Sequence, residues 1–186
     1  MRYILGVLGL LVVLVVAIVL IATRTPSTNS QTGKKTVVLA DYADKNSSVT
    51  YVIRGRLSGD DTFRSIRITV TPSDRTFEIL QGYNESVLDR QVFTNNGNAY
   101  ATFLKALDKV GFSRVKNTTV KDDTGVCALG KEYKYELNSD GSNVVYLWND
   151  SCNTTGSFGG ETSTIQQMFE NQITNYNQLV QNVRLD

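Results

Sequence analysis

Residues 127–152, CALGKEYKYELNSDGSNVVYLWNDSC, decide the architecture of this chain. Tyr133, Tyr135 and Leu137 alternate with Glu132, Lys134 and Glu136, the period of two that a strand with one buried face requires. Asp140-Gly141 is a favoured two-residue hairpin turn, because both central positions need positive φ. Residues 143–149 then supply the return strand. With Asp140 and Gly141 at the tip, Tyr135 is expected opposite Tyr146, Tyr133 opposite Trp148 and Leu137 opposite Val144. One face of the hairpin would be aromatic throughout, and the other would set Lys134 against Leu147 and Glu136 against Val145.

Cys127 and Cys152 bracket the hairpin. They are slightly out of its register, a slip that a bulge at Gly130 or Gly141 would absorb. Alternation puts both on the aromatic face, so a disulfide is expected. It would stabilise the fold by about 3 kcal/mol through loss of unfolded-chain entropy. No Cys-x-x-Cys spacing marks a redox-active pair. The face made by Tyr133, Tyr135, Tyr146 and Trp148 has two readings. It is a possible binding platform for sugar rings or a peptide, or it is a core face awaiting cover. The second is favoured, because a helix with a matching apolar stripe follows directly.

Working outward, the upstream residues read as an antiparallel meander. Val49, Tyr51, Ile53 and Leu57 alternate with polar positions, and the turn Ser58-Gly59-Asp60-Asp61 follows. Ile66, Ile68 and Val70 alternate with Arg67 and Thr69, and Pro72-Ser73-Asp74 turns the chain into 76–80. Val37–Ala40 adds a candidate strand, and 112–120 reads as extended. A helix is expected over 98–110, where Tyr100, Phe103, Leu104, Leu107 and Val110 keep helical spacing. Asn98 is the expected cap at its start and Gly111 at its end. A second, long helix is expected over 163–183, with Ser163 and Gln166 as a capping box and an apolar stripe from Ile165 to Val183 interrupted at Gln172. The glycine-rich link 153–160 lacks a phosphate-binding pattern and reads as a turn.

The N-terminus has a different character. Residues 3–22, YILGVLGLLVVLVVAIVLIA, carry no charge. A helix of that length spans about 30 Å, the thickness of a bilayer's hydrocarbon core. Residues 1–23 are therefore expected to be an uncleaved transmembrane signal anchor. The run is too long for a signal peptide and has a poor cleavage site at Leu20-Ile21-Ala22. Residues 24–35 read as a polar flexible linker and 36–186 as one extracytoplasmic domain. Arg24, Lys34 and Lys35 on the far flank mildly oppose that orientation. The cysteine pair, suited to an oxidising compartment, favours it.

Composition removes several function classes. The 186 residues include no histidine, and the formal net charge is +1. Serine–histidine and cysteine–histidine catalysis and the HExxH zinc site are excluded. Two cysteines alone do not make a structural zinc site. No metal, cofactor or catalytic residue is expected, and nothing draws the chain to nucleic acid. Ser113-Arg114-Val115-Lys116 matches the SxxK pattern of acyl-enzymes but lacks its companion motifs. Asp60-Asp61 and Asp122-Asp123 are read as solvated turn residues. Arg54, Arg56, Arg64, Arg67 and Arg75 crowd the meander and offer a candidate face for anionic polymers or headgroups, or an exposed face balanced by acids. Asn46, Asn84, Asn117, Asn149 and Asn153 begin glycosylation sequons, which matter only in a glycosylating host.

The segments AYATFLKALDKVGF (99–112), CALGKEYKYEL (127–137), YLWNDSC (146–152) and GSFGGETSTIQQMFENQITNY (156–176) resemble small membrane-anchored proteins of Saccharibacteria and related ultrasmall bacteria. Thr174 departs from the proline those proteins tend to carry after Gln-Ile. The resemblance implies a bacterial envelope setting and transfers no activity. The combined expectation is an α+β fold, with an antiparallel sheet of about six strands packed by two helices behind one transmembrane helix. The expected role is a non-catalytic binding or assembly module of the cell envelope, with an envelope protein or polymer as partner. The alternatives are a carboxylate-based envelope hydrolase and an accessory subunit of a membrane complex.

Overall fold

The alternation around Asp140-Gly141 is realised as two paired strands in a computed structural model that describes residues 37–120, 122–152 and 156–186. The expected anchor, 1–23, and linker, 24–35, lie outside the described residues. Among the described residues, no helix is long and apolar enough to cross a membrane.

Among these residues six strands form one antiparallel sheet: β1 (Ser47–Arg54), β2 (Arg64–Val70), β3 (Asp74–Gln81), β4 (Ser86–Thr94), β5 (Glu132–Ser139) and β6 (Ser142–Asp150). Their spatial order is β4-β3-β2-β1-β5-β6. The first three make the meander expected from their short turns, and β4 adds a fourth strand to it that the sequence reading did not include. The chain then leaves the sheet through helix α1 (Gly97–Val110) and re-enters beside β1, so that the hairpin extends the sheet on its free side.

Pairing fixes which side chains share a face. Val49, Tyr51 and Ile53 of β1 stand opposite Val70, Ile68 and Ile66 of β2, and opposite Leu137, Tyr135 and Tyr133 of β5. This face packs in one core with Tyr100, Phe103, Leu104 and Leu107 of α1 and Ile165 and Phe169 of α2 (Thr162–Glu170). Rings dominate it. Tyr51 lies 5.4 Å from Tyr135 and 5.5 Å from Phe169, and Tyr135 stacks on Phe158 at 3.8 Å. Such edge and offset contacts add to the area term of burial.

Helix α1 is capped by an asparagine as its sequence suggests, but two residues earlier. Asn96, not Asn98, accepts the hydrogen bond from the Ala99 amide, at 2.9 Å. Gly111 ends the helix in the left-handed conformation, φ 79°, where a Cβ would be strained. Asp108 of α1 accepts from the amides of Leu39 and Ala40 at 2.9 and 3.1 Å. Those two donors open a 3-10 turn, Leu39–Tyr42, where a strand was expected.

Three further expectations need correction. The long helix over 163–183 is two pieces, α2 and the short α3 (Tyr176–Val180). The four-residue ladder ends at Asn171, after which Gln172 and Ile173 donate only three residues back. Asn175, left-handed at φ 60°, precedes the second piece, and asparagine tolerates that region better than most residues. The capping box is not formed: Glu161 precedes α2 without a side-chain cap. The stretch 112–120 makes a single bridge, Val115 to Phe158, rather than a strand. The sixth strand is instead β4, whose residues are mostly exposed and so show little alternation.

Candidate functional site

The hairpin's register departs from the expected one by a single residue. Tyr135 faces Leu147, Lys134 faces Trp148 and Glu136 faces Tyr146, with an irregularity at Leu137/Asn138. A one-residue slip moves a strand's side chains to the opposite face. Tyr133 and Tyr135 therefore join the helix-covered core, while Tyr146 and Trp148 stand on the opposite face beside Lys134 and Glu136. The four aromatic residues do not form one platform. Tyr135 is fully buried, Tyr133 half-buried, Trp148 buried and Tyr146 exposed.

Cys127 and Cys152 are joined as a disulfide with their Cα atoms 5.8 Å apart. They lie beyond the strand ends, so neither takes part in the alternation of faces. The hairpin's pairing continues outward to reach them. Ser151 donates its amide to Lys131 O at 2.9 Å, and the Lys131 amide donates to Ser151 Oγ at 2.8 Å. Asp150 lies near both sulfurs, but a disulfide offers a metal no thiolate.

The face carrying Tyr146 and Trp148 is charged. Arg67 pairs with Glu78 at 2.7 Å and Glu85 at 3.1 Å, and Arg90 reaches Glu78 at 3.4 Å. Beside them, Lys134 Nζ sits 2.7 Å from Asp123 and 3.6 Å from Glu132, while Arg54 pairs with Glu132 at 3.1 Å. Tyr146 donates its hydroxyl to Asp123. Asp123 thus belongs to a half-buried ionic cluster, correcting its reading as a solvated turn residue. The polar residues of β5 pointed to such a face, but nothing in the sequence placed the 122–123 loop over it.

These contacts divide the two carboxyls. Burial raises Glu132, and its hydrogen bond to Asp123 raises it further, to about 7. Burial also works against the charge on Asp123, yet hydrogen bonds from Glu132, Lys134 and Tyr146 hold it well below its usual range. Lys134 is raised despite burial, through Asp123 and Glu132. Burial and the bond to Asp123 push the Tyr146 phenol to about 12. The cluster is a carboxyl–carboxylate pair closed by a lysine.

The other sequence candidates are already engaged. Ser113 donates its hydroxyl to Val37 O at 2.8 Å, in no helix start, so SxxK chemistry has no frame here. Asp60 accepts from the Tyr83 amide at 2.8 Å.

The sheet's two edges are unlike. On β6, the Phe158 amide donates to Trp148 O at 2.9 Å, and Ser157 Oγ accepts from the Trp148 amide at 3.0 Å. That edge is partly closed by its own chain. On the opposite edge, β4 pairs with β3 alone among the described residues. Val87, Leu88 and Val92 of β4 are 49%, 52% and 57% exposed. The chain matches no protein-family model and no curated protein.

Proposed function

We propose that this chain is a membrane-anchored, non-catalytic binding module of a bacterial cell envelope, one that takes up an extended segment of an envelope protein along β4. The observation that carries the reading is the contrast between the sheet's edges. A nine-residue edge strand with three exposed aliphatic side chains is a template for strand addition. Natural sheets usually blunt such an edge. Here Asp89 and Arg90 place one charge of each sign at its middle, which selects a partner rather than repelling all of them. The anchor, the linker and the resemblance to envelope proteins of ultrasmall bacteria support the setting.

A photocrosslinking amino acid at Val92 of the full chain, activated in intact membranes, tests this. A discrete cross-linked protein, lost when Val87→Lys is added, is the expected result. The same pattern of products from a probe on the exposed face of α1 would sink the reading.

A carboxylate hydrolase is the second reading, favoured by the raised Glu132. Against it, Asp123 and Glu132 both hold the Lys134 ammonium, at 2.7 and 3.6 Å, and Glu132 also holds Arg54. Glycosidase carboxyls instead stand about 5 Å or more apart with the sugar between them. Loss of glycan hydrolysis in Glu132→Gln would restore this reading.

A further inference from the structure

The arginines that crowd the meander separate into two groups. Arg54 and Arg67 are paired with glutamates. Arg75 donates to the backbone oxygens of Gln172 and Thr94, at 3.1 and 2.9 Å. Arg56 and Arg64 have no carboxylate within ion-pair distance among the described residues, and neither does Arg184. These three line one cavity of about 730 Å³ at the end of the sheet.

Its construction suits an anion. Arg64 Nη1 donates to Asp61 O at 2.7 Å and Phe63 O at 3.0 Å. Those bonds orient the guanidinium and, among the described residues, leave its Nη2 and Nε donors uncommitted. The wall carrying Arg184 is fixed in place, because the Arg56 amide donates to Leu185 O at 3.0 Å. Gly55 permits that approach, since a Cβ there would lie 2.8 Å from the same oxygen. Against the three arginines stands one lining acid, Asp186. Ser58, Thr62 and Asn182 add polar lining, and Ile79, Leu88, Leu179 and Val183 supply an apolar part. Volume on this scale admits a ligand of small-molecule size.

We infer that this cavity binds an anionic amphiphile: a phosphate monoester head held by Arg56, Arg64 and Arg184, with an alkyl chain against Ile79, Leu179 and Val183. Guanidinium forks match phosphate oxygens in geometry as well as charge. The cavity requires no catalytic step and no strand addition, and it meets β4 at one lining residue, Leu88. Two sources carry the same chemistry, a lipid headgroup and a soluble ester.

The full chain in phosphatidylcholine nanodiscs, titrated calorimetrically with hexyl phosphate, tests the inference. Saturable binding of one equivalent is expected, with hexanol and inorganic phosphate each at least tenfold weaker. Arg56→Gln with Arg184→Gln should weaken hexyl phosphate by about tenfold or more, while Arg114→Gln, an exposed arginine elsewhere, should not. Arg56 and Arg184 are both exposed, so the double variant is expected to keep the parent's thermal unfolding, measured alongside. Equal binding of hexanol, equal binding of inorganic phosphate, or unchanged affinity in a folded double variant would each overturn the proposal. Phosphatidic acid in the nanodisc distinguishes the sources. Competition with hexyl phosphate identifies a lipid, and its absence a soluble ester.

Discussion

Gly130 stands so close to Cys127 that a Cβ on it would lie 2.5 Å from the Cys127 sulfur. The same atom would be 3.0 Å from the Cys152 sulfur and 2.5 Å from Ser151 Oγ. The disulfide and the absence of a side chain at 130 are therefore one feature. Gly130→Ala is expected to destabilise the domain by about 1–3 kcal/mol, the usual range for overpacking. In a Cys127→Ser, Cys152→Ser background the crowding atoms can move apart, so the penalty should shrink. Chemical denaturation of the four proteins gives the coupling.

The Asp123–Glu132 pair sets a dome-shaped dependence of stability on pH. Glu132 is raised from an ordinary 4.5 to about 7. Between those values the folded protein holds more protons than the unfolded chain, so stability falls as pH rises. Asp123 is lowered from an ordinary 3.8. Below that value the unfolded chain holds more protons, so stability falls as pH drops. The pair's contribution should peak near pH 4. Glu132→Gln should flatten the decline on the alkaline side and leave the acid limb. Thermal unfolding across pH 3–8 reads both limbs, and an unchanged decline in the variant would refute the assignment.

Phe158 joins the hairpin to the core, since its ring stacks on Tyr135 while its amide bonds to Trp148 O. Phe158→Ala leaves that backbone contact possible but empties the ring's place. A loss of about 3–5 kcal/mol is expected for a buried aromatic truncation. Phe158→Leu should cost less, because much of the volume is refilled. A loss below about 1 kcal/mol for the alanine variant would show that the stack contributes little.

Asn175 holds a positive φ between α2 and α3. Asn175→Ala should destabilise by about 1 kcal/mol, because a Cβ without a polar tip is disfavoured there. Asn175→Gly should stay within about 0.5 kcal/mol of the parent, its ease in the bend offset by greater freedom in the unfolded chain. Equal effects of the two substitutions would mean that the bend is imposed by packing rather than by local backbone preference.

The sequence made the meander, helix α1 and the turn at Asp140-Gly141 legible, because each rests on local chemistry: strict alternation, a helical stripe closed by Gly111, and a residue pair that accepts positive φ. The misreadings fall where a nonlocal or single-residue effect decides. The irregularity at Leu137/Asn138 leaves the composition of the hairpin unchanged and still reassigns Tyr146 and Trp148 to another face. β4 escaped notice because only Asp89 and Phe93 are partly buried along its nine residues, too little alternation to detect. The break after α2 was marked only by Gln172 in an otherwise apolar stripe. Asp123 gave no sign of its partners, since Glu132, Lys134 and Tyr146 lie on other elements.

The eight residues of β5 divide two environments at intervals of one residue. Tyr133, Tyr135 and Leu137 look into a ring-filled interior that dissolved ions do not reach. Glu132, Lys134 and Glu136 look into a lattice of charges that dissolved ions weaken. A substitution scan along this one strand, repeated at low and high ionic strength, should therefore give a zigzag. Salt sensitivity would rise and vanish with each step, tracing the pleat of the sheet without a structure.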